Sequence, residues 1–152
     1  MSHAAPSRHF SDKSKLLDAL AIEGFTLLGT RLRDAARTST ERPVQADAAA
    51  RAFIGFATTE ANLTEVMFRH DDTRDASTIG SSAFAALQPI QDFFAEQDDE
   101  SAATAATVFL ATLQGIASLV NCGVVPAEHV PALITDALPR FFPAPSECGD
   151  RA

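Results

Sequence analysis

Hydrophobic positions recur along this chain at three- and four-residue steps, and alternating runs are almost absent. That period belongs to helices packed by one face, whereas a half-buried strand needs a period of two. Ser11 can cap a helix entering at Asp12 and Lys13, after which Leu17, Leu20, Ala21, Gly24, Leu27, Leu28 and Leu32 share a stripe. Ser, Thr and Pro across residues 38–43 predict a break. A second helix is predicted from about residue 46 to residue 60, with Ala50, Phe53, Ile54 and Ala57 on one face. Leu63, Val66, Met67 and Phe68 predict a shorter third one. Beyond a polar loop at residues 69–75, Ser77 or Thr78 can cap a fourth helix lined by Ile79, Ala83, Ala86, Leu87, Ile90 and Phe94. Pro89 falls inside that pattern and predicts a kink, because its ring removes a donor and crowds the preceding turn.

Residues 102–120 carry no charged side chain, a length that could span a bilayer. Thr104, Thr107, Thr112, Gln114, Gly115 and Ser118 interrupt the segment, and no Lys or Arg flanks it as an anchor, so no membrane partner is expected. A helix apolar all round must be covered on every side. A chain of 152 residues supplies few neighbours for that, which predicts a second copy as the cover. Asn121-Cys122-Gly123 reads as the stop, with Gly123 in the left-handed position. A last helix is predicted over residues 126–142, where Val130, Leu133, Ile134, Ala137, Leu138 and Phe141 form a clean stripe. The class is all-α, about six to seven helices, the last two long ones forming a homodimer interface through Leu119, Leu133, Ala137 and Leu138.

Composition narrows the function classes. An apolar fraction of 46% and a charged fraction of 21% argue against disorder and fibrous structure. Eleven Phe with no Trp and no Tyr predict a core rich in rings and poor in polar aromatic handles. Two cysteines are too few for a disulfide scaffold, and the first ten residues hold no apolar signal core, so a cytoplasmic protein is expected. The net charge of −8 argues against nucleic acid bound over the whole surface. It is unevenly spread: residues 1–42 hold seven basic and five acidic side chains, a net +2, and the remainder sums to −10. Such an asymmetry suits a head that approaches a polyanion and a body that repels one.

Little in the chain suggests catalysis. His3, His9, His70 and His129 are scattered, with no carboxylate or Cys at metal-ligand spacing. His70-Asp71-Asp72 reads as solvated loop charge. No nucleophile elbow and no Gly-rich phosphate loop occur. Cys122 reads as a small buried hydrophobe at the end of an apolar helix. No enzyme, metal or cofactor is expected.

Residues 2–28 resemble the recognition helix, and the long helix after it, of the TetR/AcrR family of transcriptional regulators. The family signature runs roughly V-S-x-x-x-x-Y-x-H-F-x-D-K-x-x-L, and Ser2, His9, Phe10, Asp12, Lys13 and Leu16 match it in spacing. FATTEANLTEVMF, at residues 56–68, is similar to the family's helix-turn-helix stretch ending in L-M-F. VFLATLQGIASLVNCG, at residues 108–123, resembles the W-x-x-x-H-G helix of the WHG-type regulatory domain. Ser7 stands where the family has a phosphate-contacting Tyr, and Leu110 and Gln114 stand in place of the W and H.

The resemblance implies a helix-turn-helix remnant at residues 1–36, lacking the first two helices of the DNA-binding domain. A ligand-binding and dimerisation domain would follow at 37–143, and a tail at 144–152. It implies that Ser2, His3, Ser7, Arg8, His9 and Lys13 face a double-stranded operator, and that Phe53, Phe56, Met67, Phe84, Leu87, Phe109 and Gln114 line a site for a small hydrophobic or aromatic effector. The rings are equally compatible with a packed core. A helix confined to residues 1–10 is marginal without tertiary support, so the segment before about Leu16 is expected to be mobile and DNA binding weakened or lost. The implied function is a repressor. The alternative is an all-α dimeric ligand-binding or interaction module with no DNA role.

Overall fold

The computed structural model describes residues 5–69, 76–95 and 99–143. Among these residues six helices follow in order: α1 (Ala5–Ala36), α2 (Arg42–Thr59), α3 (Ala61–Phe68), α4 (Ala76–Asp92), α5 (Asp99–Asn121) and α6 (Val130–Phe141), the last preceded by a 3-10 turn at Ala127–His129. Among the described residues there is no strand, and the all-α class expected from the periodicity is what is found.

The first helix corrects one expectation. Ser11 lies inside α1 and not at its start, because α1 runs unbroken from Ala5. Neither Gly nor Pro occurs between Pro6 and Gly24 to stop a helix. Pro6 itself lies in the first turn, where its missing N–H breaks no helical bond. The segment expected to be mobile therefore includes the opening turns of α1. The buried stripe is also narrower than predicted: Ala21, Phe25, Leu28 and Leu32 are buried, while Leu20 and Leu27 are exposed. Two glycines set that stripe. A Cβ on Gly24 would lie 2.5 Å from Met67 Sδ of α3, and one on Gly29 would lie 2.9 Å from the Ala86 Cα of α4. Close approach at those two points lets α1 pack on both neighbours at once.

α2 begins at Arg42, four residues before the predicted start, since Pro43 is tolerated in a first turn. Gln45 Nε2 donates to the Ser39 carbonyl at 2.7 Å and ties the preceding turn to the helix. Its buried side carries Ala46, Ala49, Ala50, Phe53, Ile54, Phe56 and Ala57, and it touches α1, α3, α5 and α6. The ring of Phe56 is covered by the Arg31 guanidinium, 5.1 Å from its centroid. On the outer side Arg51 pairs with Asp47 at 2.6 Å, and that hydrogen bond raises the Arg51 pKa above its ordinary value.

α4 starts at Ala76, so Ser77 and Thr78 lie within its first turn and accept hydrogen bonds there on their carbonyls from Ser81 and Ser82. Pro89 is buried inside it. Phe94, just past its end, stacks on Phe142 at 5.2 Å and meets Phe109 edge-on at 5.9 Å. Phe109 in turn meets Phe141 at 5.0 Å, so four rings from three parts of the chain close this end of the bundle. α5 ends as predicted. Gly123 takes a φ of 74°, with Gly123 N–H bonded to the Val120 carbonyl and Val124 N–H to the Leu119 carbonyl. Cys122 is exposed and not buried, because it falls in the turn beyond the last residue of α5.

Candidate functional site

A groove of about 380 Å³ runs between the second half of α4 and the first half of α5. It exists because α5 presents Ala102, Ala103 and Ala106 to α4, side chains too short to fill the gap between two helix axes. α4 leans far more on α1 than on α5, consistent with that gap. Leu87, Ile90 and Leu110 make the apolar lining, and Phe84 stands at the opening with 59% of its surface exposed. The polar lining consists of Gln88, Gln91, Asp92 and Thr107, and Gln88 Nε2 donates to Asp92 Oδ1 at 2.9 Å. The Thr107 hydroxyl donates to the Ala103 carbonyl at 2.7 Å, so its proton is already engaged. The groove therefore suits a guest held by apolar contact and oriented by few polar groups.

Of the seven side chains assigned to an effector site, only Phe84 and Leu87 line this groove. Phe53, Phe56, Met67 and Phe109 do converge, but each is no more than 2% exposed and belongs to one packed core. Their volume is taken up by ring contacts and by Met67 reaching over Gly24. Gln114 lies elsewhere, at a second cleft between α5 and the α2–α3 junction. The sequence signal for the groove was the run of alanines at residues 102, 103 and 106, which reads as helix composition until α4 is placed opposite.

The residues assigned to a dimer interface divide in a similar way. Leu119 and Leu133 are exposed, Ala137 is half-buried, and Leu138 is half-buried against the core. Around Leu119, the outward side of α5 shows Thr104, Val108, Ala111 and Gly115 to solvent. Only 22% of the most apolar window in Glu100–Asn121 is buried, and by length and composition alone this helix could cross a membrane. Ser2 and His3, assigned to DNA, lie outside the described residues, as do His70-Asp71-Asp72 and the side chains of Ser7, Arg8 and His9. Lys13 is exposed on α1, two residues from exposed Lys15. Among the described residues no group of three or more His, Cys, Asp or Glu is placed to hold a metal ion.

No model of a known protein family matches this chain, and no curated protein matches it. Among solved structures, a protein of unknown function from Rhodococcus sp. RHA1 is similar, with 30% sequence identity and a TM-score of 0.75. The match covers 93% of this chain and 77% of that one. This chain belongs to the same family as the Rhodococcus protein.

Proposed function

We propose that this chain, as a family member of the Rhodococcus protein, is a TetR-type transcriptional repressor whose helical body binds a small hydrophobic or aromatic effector and dimerises in the cytoplasm. The observation that carries this reading is the α4–α5 groove, about 380 Å³ with a mostly apolar lining and few polar groups. The mostly uncovered apolar α5 beside it supports a second copy as the cover. Contact with an operator would fall to the start of α1, where exposed Lys13 and Lys15 lie in the basic part of the chain. A dimer would present two such ends related by a two-fold axis.

The effector reading has a direct test. The chain has no Trp, so Phe84→Trp installs a single indole at the groove mouth. An apolar aromatic probe such as naphthalene is expected to quench or shift that emission saturably. Leu110→Arg, which places a charge in the groove lining, should abolish the response. An emission spectrum unmoved by naphthalene in the Phe84→Trp protein counts against an effector site.

A second reading, an all-α dimeric ligand-binding module without a DNA role, is favoured by one observation. α1 is continuous from Ala5, with no turn to set off a separate recognition helix. Affinity for duplex DNA that falls with salt and varies with sequence supports the repressor; its absence supports the module.

A further inference from the structure

At the other end of α5, where it passes the junction of α2 and α3, lies a cleft of about 350 Å³. Two polar atoms buried in its lining residues have no hydrogen-bond partner: Thr64 Oγ1 and Gln114 Oε1. Thr64 is only 5% exposed. Three other hydroxyls on these helices are engaged locally. Thr58, Thr107 and Thr112 donate to the carbonyl four residues back at 2.8, 2.7 and 2.9 Å. Thr64 makes no such bond, and an unmade hydrogen bond at a buried atom is a standing cost that a bound group can relieve. The cleft is also braced: Asn121 Nδ2, on its rim, donates to the Ala57 carbonyl at 3.0 Å and joins the ends of α5 and α2.

The lining fixes the chemistry of the guest. Among the described residues no Lys, Arg or His lines the cleft, so an anion would find no counter-charge in that lining. The one carboxylate, Glu65, is engaged by Arg69 at 2.6 Å. Ala57, Ala61 and Ala117 supply a short apolar wall. Gln114 Oε1 requires a donor, and the Thr64 hydroxyl can donate in return. We infer that this cleft binds a small uncharged molecule bearing a carboxamide or hydroxyl, which donates to Gln114 Oε1 and accepts from Thr64. A primary carboxamide carries both functions on one planar group. This site is separate from the α4–α5 groove, which uses residues 102–110 of α5 where the cleft uses residues 114–122. Its test is independent of DNA binding and of effector entry.

The experiment titrates the full chain, labelled with ¹⁵N, with benzamide, and in parallel with ethylbenzene and benzoate. Benzamide is expected to shift the Thr64 amide and the side-chain amides of Gln114 and Asn121 saturably. Ethylbenzene lacks the polar group and benzoate is charged, so neither should move them. Thr64→Val keeps the side-chain shape and Gln114→Leu removes the acceptor; each should weaken benzamide about tenfold. Thr64→Ser, which keeps the hydroxyl, should retain binding and serves if the other two fail to fold. The inference is overturned by no saturable shift with benzamide, by equal binding of ethylbenzene, or by unchanged affinity in a folded Thr64→Val protein. Loss of dimerisation in Thr64→Val without benzamide binding would also overturn it, by showing that a second copy satisfies these atoms.

Discussion

The two sides of α5 share one helix and a nearly charge-free composition, yet they do different things. The inner side buries Ala106, Phe109, Leu113, Ile116 and Ala117, with Phe109 set among rings from α6 and the end of α4. The outer side exposes Thr104, Val108, Ala111, Gly115 and Leu119. On the inner side, shape selects the partner, because a ring the size of Phe109 fits only where Phe94, Phe141 and Phe142 leave room. On the outer side the residues are mostly small and their shape selects little, so a flat helical surface of matching width can approach closely. Apolar composition thus says that a face is to be covered; size and interdigitation decide by what.

Breaking the inner side should have the largest effect. Phe109→Ala removes the ring at the centre of the cluster and is expected to cost about 3–5 kcal/mol, read by thermal or urea unfolding. A loss below about 1 kcal/mol would mean that the rings are not mutually packed. Gly29→Val comes next. Its Cβ would press on α4 backbone at Ala86, which cannot swing aside as a long side chain can, and a cost of about 1–3 kcal/mol is expected.

The outer side should answer differently. Leu119→Glu is expected to leave unfolding of the single chain within about 0.5 kcal/mol of the parent while abolishing self-association in sedimentation experiments. If the parent chain sediments as a monomer at micromolar concentration, no second copy covers α5. The smallest effect belongs to the far end of the molecule. Lys13→Ala should leave stability unchanged and lower the salt slope of DNA binding by about one unit. An unaltered slope would remove Lys13 from the DNA-facing surface.

Much of this architecture was legible in the sequence, for local reasons. Helix positions followed from spacing and from Pro and Gly punctuation, and Gly123 took the left-handed turn its position demanded. What escaped depended on partners distant in sequence. The apolar set on α1 was broad enough for two stripes. The choice of Phe25 and Leu28 over Leu20 and Leu27 was made by the close crossings at Gly24 and Gly29. Ser11 had the chemistry of a cap, but with no Gly or Pro between Pro6 and Gly24 nothing stops the helix there. That Phe53, Phe56 and Phe109 were interior was readable; that their rings fill the interior is a matter of packing. Thr64 looked like an ordinary polar residue on a short helix, and only its burial without a partner marks it out.

The all-phenylalanine ring set has one more consequence, an optical one. With neither indole nor phenol in the chain, the protein is nearly transparent at wavelengths longer than the weak phenylalanine band. An aromatic guest absorbing to the red of that band would report its own arrival in the α4–α5 groove, with no label attached. Concentration, by the same token, must be measured through the peptide bond.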